Sequence, residues 1–181
     1  MITAPALEYL FPLPALYAAV GRVLPEFEIV DTHGLPPAAH RLLVHSGDMT
    51  SKLEEFFGEG MRLRILQCEH TPEHYRREVV LFGEKTGLPV EYGAIEINLA
   101  AFNEPLRTEI VSGVLPLGGL LNRHGIRYRS EPRCFLRVTP CVRLIEYFGL
   151  TGLEVLFARS NRLLDAEGIE LARIVEVLRP V

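Results

Sequence analysis

The sequence predicts an α+β fold: one antiparallel β-sheet of about five to seven strands, flanked by helices. Three features carry that expectation. The apolar period switches to two after Gly60, where Met61, Leu63 and Ile65 alternate with Arg62 and Arg64. Later segments with strand character are joined by short glycine-bearing turns, Gly83 to Gly87 and Asp165 to Gly168, and strands joined that way pair antiparallel. No repeat, low-complexity tract or linker divides the 181 residues. Residues 1–181 therefore read as one domain, with residues 1–50 a helical N-terminal part packed on it.

In chain order, Pro14 suits the first turn of a helix running from Ala15 to Val23, and Pro36-Pro37 opens another through His40 to Val44. Ser51, followed three residues later by Glu54, has the spacing of a capping box. Leu53, Phe56 and Phe57 form the apolar stripe of that helix, and Gly58 and Gly60 stop it. The strand from Met61 ends in the turn Glu69-His70-Thr71-Pro72, and a strand from Tyr75 to Phe82 follows. Val90 to Leu99 returns as its partner. Helices are expected over Ala101 to Ser112 and over Leu117 to Arg123, the second between Pro116 and Gly125. Arg127 and Arg129 alternate with Ile126 and Tyr128 where strand structure resumes, and Cys141 to Phe148 reads as a short helix closed by Gly149. The final hairpin pairs Leu153 to Leu164 with Ile169 to Pro180.

Composition excludes several classes. A hydrophobic content of 48% and a charged content of 23% are those of a globular protein, and a net charge of -4 gives no basic face for nucleic acid. No apolar run reaches the roughly 18 residues of a membrane helix, and three cysteines without ligand spacing suit a reducing compartment. A soluble cytoplasmic protein, monomeric or a small homo-oligomer, is expected. Glycine-rich phosphate loops and dinucleotide fingerprints are absent. His70 and His74 are four apart, but Thr71-Pro72 breaks any helix that would bring them onto one metal. Neither cofactor nor metal is expected.

Two charges stand where strand parity puts apolar side chains. Arg77 shares a row with Tyr75, Val79 and Leu81, and Glu176 shares one with Ala172, Ile174 and Leu178. An arginine facing a core must be met by an anion, and its planar fork matches a carboxylate. One inward cation and one inward anion fit a small enclosed site for a carboxylate-bearing ligand. They fit equally a buried ion pair between the two residues.

The order of pieces resembles a known family. Asp48-Met49-Thr50 enters a helix, the strand Tyr75 to Leu81 and the return strand Tyr92 to Ile97 follow, Pro116-Leu117-Gly118 opens a helix, and the last hairpin ends Val175-Glu176-Val177-Leu178-Arg179-Pro180. From Val44 to Pro180 this is similar to the chorismate–pyruvate lyase family and its wider chorismate lyase-like superfamily, with Arg129 to Gly152 aligning poorly. The resemblance implies a chorismate lyase-like fold and cofactor-independent elimination of pyruvate from chorismate, giving 4-hydroxybenzoate. It gives Arg77 the ring carboxylate, with added hydrogen bonds from the backbone amides of Met49 and Leu117, and places Glu176 at the ring hydroxyl. Arg77 and Glu176 are then the catalytic pair, with the ring between them, and Glu176 serves either as base or as orienting group. The chain departs from the family at Arg76, where an apolar residue is expected and a slip of one would exchange it with Arg77, and at Gly119, where a basic residue is usual.

Two alternatives stand beside the lyase. One is a non-catalytic module of the same fold that senses a small aromatic acid, as in the effector-binding half of transcription regulators. The first fifty residues carry no basic recognition helix to go with it. The other is a related lyase acting on a different cyclohexadienyl carboxylate.

Overall fold

The computed structural model describes residues 4–152 and 154–181. Leu153, the expected start of the last hairpin, lies outside the described residues. Seven strands form one sheet: β1 (Glu26–Val30), β2 (Met61–His70), β3 (His74–Gly83), β4 (Pro89–Asn98), β5 (Arg129–Thr139), β6 (Leu156–Leu164) and β7 (Glu170–Leu178). Their order is β1-β5-β6-β7-β4-β3-β2, and every neighbouring pair is antiparallel. Two three-stranded units, β2-β3-β4 and β5-β6-β7, join where β4 pairs with β7, so the final hairpin supplies central strands.

Helices cover both faces. On the back lie α1 (Ala4–Leu10), α2 (Leu13–Ala19) and α7 (Val142–Phe148). Leu10, Leu13, Leu16, Leu144 and Phe148 pack there against Val80, Ala94, Leu136, Val175 and Val177. On the front lie α3 (Pro37–Leu43), α4 (Met49–Phe57), α5 (Glu104–Ser112) and α6 (Leu117–Arg123). Their apolar stripes meet the opposite row of the same strands, with Leu53, Leu106, Ile110 and Leu121 buried. Among the described residues no helix is long and apolar enough to cross a membrane.

Several boundaries differ from the sequence reading. Residues 1–50 are not wholly helical, because Glu26–Val30 pairs with β5 as an edge strand. Only Phe27 of that strand is buried while Ile29 is exposed, so its apolar alternation is hidden. Pro14 does sit in the first turn of α2, but the helix ends at Ala19, not Val23, where the chain leaves through Gly21 at φ 64°. The cap of α4 is Asp48 rather than Ser51. Its carboxylate accepts from the Ser51 N–H (2.8 Å) and from the Ser51 hydroxyl (2.9 Å), which places Ser51 inside the first turn. Glu54 reaches the Met61 N–H (3.2 Å) instead. The helix expected over Ala101 to Ser112 is a short 3-10 turn, Leu99–Ala101, followed by α5, which Asn103 caps by accepting from the Leu106 N–H (3.2 Å). The strand around Arg127 and Arg129 begins at Arg129 and runs eleven residues.

Candidate functional site

The registers of the four central strands lay out three rows across the front face. One is Arg77–Ile95–Ile174–Asn161, the next Val79–Gly93–Glu176–Arg159, and the third Leu81–Glu91–Leu178–Phe157. The middle row carries no side chain at Gly93, and that gap opens a cavity of about 70 Å³ beneath α4 and α6. A water needs about 15 Å³ of such space, so the cavity has room for a few waters or for one compact organic anion. Met49, Arg77, Leu117 and Glu176, the four candidate residues, all line it. Met49 and Leu117 are the first residues of α4 and α6, a position whose N–H has no acceptor inside its own helix. Gly118 lets the two helices meet, since a Cβ there would lie 2.9 Å from the Asp48 Cβ.

Arg77 and Arg76 take opposite sides of β3. Arg76 faces the back, where its Nε donates to Glu96 (2.6 Å) and its Nη1 to Glu69 (3.3 Å). Arg77 faces the cavity and is 2% exposed. Its Nη2 donates to the Leu115 carbonyl (3.3 Å) and its guanidinium stands 5.8 Å from the Tyr75 ring centre. Its Nε and Nη1 are buried without an acceptor, and no carboxylate lies within ion-pair distance of it among the described residues. Burial holds its pKa below the usual guanidinium range, although an arginine keeps its charge.

Glu176 stands two strands away, about 10 Å across the sheet, with a two-residue offset of about 7 Å along it. It forms no pair with Arg77. Its carboxylate instead accepts a short charge-assisted bond from Arg159 Nε, the residue opposite it on β6. Arg159 is fully buried, and its Nη1 also donates to the Leu43 carbonyl (3.1 Å), to His45 Nε2 (3.1 Å) and to the His45 carbonyl (3.3 Å). An arginine only donates, so His45 accepts as the neutral ring. Burial and the neighbouring guanidinium push its pKa down to about 4. The Arg77–Glu176 ion pair that the sequence left open does not form: Glu176 pairs with Arg159 instead, and Arg77 is left over.

Glu91 is the other charged group that sequence reading missed. It lines the cavity at 4% exposure, with its Oε2 buried and unpartnered. Burial, reinforced by the Glu176 carboxylate, raises its pKa well above the usual carboxylate range, and Arg159 opposes this only in part. Both missed residues lie on mixed rows, Glu91-Gly93-Ile95-Ile97 and Phe157-Arg159-Asn161-Leu163. The parity argument that found Arg77 reaches them as well.

No protein-family model matches the chain, and no curated protein matches it. Solved structures match it in fold. The crystal structure of PhnF from Mycobacterium smegmatis superposes with a TM-score of 0.59 at 14% identity, over 77% of this chain and 66% of that one. The effector domain of PhnF from the same organism gives a TM-score of 0.56 at 14% identity, over 74% of this chain and 88% of that one. The possible transcriptional regulator YydK from Bacillus subtilis gives 0.55 at 14% identity, over 76% and 62%. The chain thus spans just under two thirds of the PhnF chain and most of its effector domain. At such identity the likeness establishes the architecture, a seven-stranded antiparallel α+β sheet flanked by helices, as an effector-domain-like fold.

Proposed function

We propose that this chain is an effector-binding module that holds a compact carboxylate or similar oxyanion at Arg77 and does not turn it over. One observation carries the reading: a buried arginine, facing a cavity, has no counter-ion among the described residues and has two nitrogens without acceptors. A buried unpaired charge is destabilising, and a fold retains one at a cost that a bound anion offsets. The walls of the cavity between Arg77 and the carboxyl end are Val79, Ile95, Leu117 and Ile174, which suit an apolar middle such as a ring. The amides of Met49 and Leu117 supply further donors for the same anionic head.

The likeness to an effector domain and to a possible transcriptional regulator supports sensing over the lyase that the family resemblance implies. The chemistry agrees. A general base at the far end needs a carboxylate free to take a proton, and Glu176 is already engaged by Arg159 in a charge-assisted bond. On this reading residues 1–181 are one ligand-binding domain, and its occupancy is read by an attached or partner domain.

Calorimetric titration of the chain with benzoate and 4-methylbenzoate, alongside incubation with chorismate, tests the proposal. The expected outcome is saturable binding of the acids and no release of 4-hydroxybenzoate or pyruvate. Sustained turnover of chorismate overturns the sensing reading, and the absence of any acid binding overturns the anion pocket.

A further inference from the structure

The row that carries Arg77 continues past β3 to the edge of the sheet. The register of β2 against β3 sets Cys68 directly opposite Arg77, so the row runs Cys68–Arg77–Ile95–Ile174–Asn161. Residues opposite one another in an antiparallel pair share a face, with Cβ atoms about 5 Å apart. A β-bulge between Ile65 and Gln67 brings Cys68 to this face. Met61 and Leu63 face the front, and without the extra residue their parity would turn Cys68 to the back. The bulge thus aims a thiol at the row of the unpaired arginine.

The three cysteines are not equivalent. Cys68 is exposed on an edge strand, whereas Cys134 and Cys141 are half-buried. Burial pushes the Cys134 thiol up to about 11, and the Cys141 Sγ stands 3.9 Å from the Tyr17 hydroxyl. Cys68 alone joins access from solvent to a buried cation, since Arg77 keeps Nε and Nη1 without acceptors. The buried Tyr75 stands beside both, with Arg77 and Cys68 as the ionisable neighbours of its hydroxyl.

We propose that Cys68 is a redox-sensitive modification site that gates the anion pocket. A hydroperoxide converts its thiol to a sulfenate, and that oxygen becomes the counter-ion Arg77 lacks, so the pocket releases its carboxylate. The inference rests on the anion-binding reading of Arg77 given above. The chemistry is a two-electron exchange. Sulfur attacks one peroxide oxygen, the S–O bond forms as the O–O bond breaks, and the departing oxygen takes the thiol proton as water or an alcohol. Sulfur loses the two electrons that the peroxide gains. A guanidinium without an anion favours the charged form of the product. Reduction by a thiol removes the oxygen and reopens the pocket.

The test is calorimetric titration of the full chain with benzoate before and after hydrogen peroxide, with the oxidised residue read by peptide mass. Cys68 should gain one oxygen ahead of Cys134 and Cys141. Benzoate affinity should then fall about tenfold or more, the worth of a charge-assisted bond to one arginine, and dithiothreitol should restore it. Cys68→Ser should keep its affinity through the same treatment. Cys68→Asp carries its oxygens two bonds beyond Cβ, as the sulfenate does. Without peroxide it should bind benzoate about tenfold more weakly than Cys68→Asn, and it should unfold at higher urea because its anion meets Arg77. No oxidation at Cys68, oxidation there with affinity unchanged, a loss that persists in Cys68→Ser, or equal affinity of the Asp and Asn variants overturns the gating while the Arg77 pocket stands. Failure of the untreated chain to bind benzoate overturns the pocket and the gating with it. The urea midpoints report separately whether an anion at position 68 reaches Arg77.

Discussion

Arg77 and Glu78 are consecutive residues of β3, both buried, and they project to opposite faces of the sheet. At the back, Glu78 is saturated. Its Oε1 accepts from Arg143 Nε (2.5 Å) and from the Tyr92 hydroxyl (2.7 Å), and its Oε2 from Arg22 Nη1 (3.4 Å). Tyr92 is in turn hydrogen-bonded to Tyr17 of α2 (3.0 Å), so one carboxylate ties α2 and α7 to the sheet. At the front, Arg77 makes a single 3.3 Å bond to a carbonyl and meets no anion among the described residues. Burial costs both groups their hydration, and only the back returns it within the chain. The difference separates a charge that holds the fold together from one that the fold holds ready for something else.

The largest effect expected from this contrast is on binding. Arg77→Met should cost about 2–5 kcal/mol of affinity for benzoate, the penalty for removing one member of a buried charged contact. The same substitution should leave stability unchanged within about 1 kcal/mol or raise it, because an unpaired buried charge is replaced by an apolar chain of similar length. Arg76→Met, on the other side of the strand, should leave affinity unaltered. Calorimetry and urea unfolding of the two variants decide the matter. If Arg77→Met markedly destabilises the chain while leaving benzoate affinity intact, the front charge is structural and the contrast fails.

Glu78→Gln should give the mirror image. It leaves Arg143 and Arg22 without their anion, but both are partly exposed and water recovers some of the loss, so about 2 kcal/mol is expected, below the roughly 3–5 of a fully enclosed pair. Benzoate affinity should not move. A binding defect equal to that of Arg77→Met, with stability preserved, would show that the two faces act as one site.

Strand parity makes the front legible in the sequence itself. The apolar company of their rows turns Arg77 and Glu176 inward, and the registers put them on the same face without touching. Parity alone does not name their partners. Arg159 meets Glu176 because β6 pairs with β7 in one register, and Glu91 meets the same cluster through a third strand far away in sequence. Such convergence is a property of topology. The back is less legible: Glu78 shares its row with Arg76 and Val80, a pattern that suits a half-exposed face, and only the packing of α2 and α7 buries it. The missed strand β1 has the same origin, since an edge with one buried side chain leaves no period to read.

The smallest expected effect in the wild-type chain is a pH dependence, because two groups at the Arg159 end of the site pull in opposite directions, and it sharpens the contrast. Glu91 has a folded pKa raised well above its unfolded value by burial and by Glu176. Its contribution to stability is complete below the unfolded value of about 4.3 and drains away as pH rises toward the folded one, by at most about 1.4 kcal/mol per pH unit. His45 is depressed to about 4 by burial and by Arg159. Its contribution is present above its unfolded value of about 6.5 and is lost as pH falls toward 4. Between those limits the two slopes oppose each other, and the wild-type curve is flatter than either. Glu91→Gln removes one slope only. Its stability relative to wild type should therefore climb as pH rises above about 4.3, while its own curve shows the His45 limb alone, falling below about pH 6.5. A pH-independent difference between variant and wild type would mean that Glu91 titrates as an exposed carboxylate does. The front would then hold a hydrated acid, and its orphaned groups would no longer be the mark that separates it from the back.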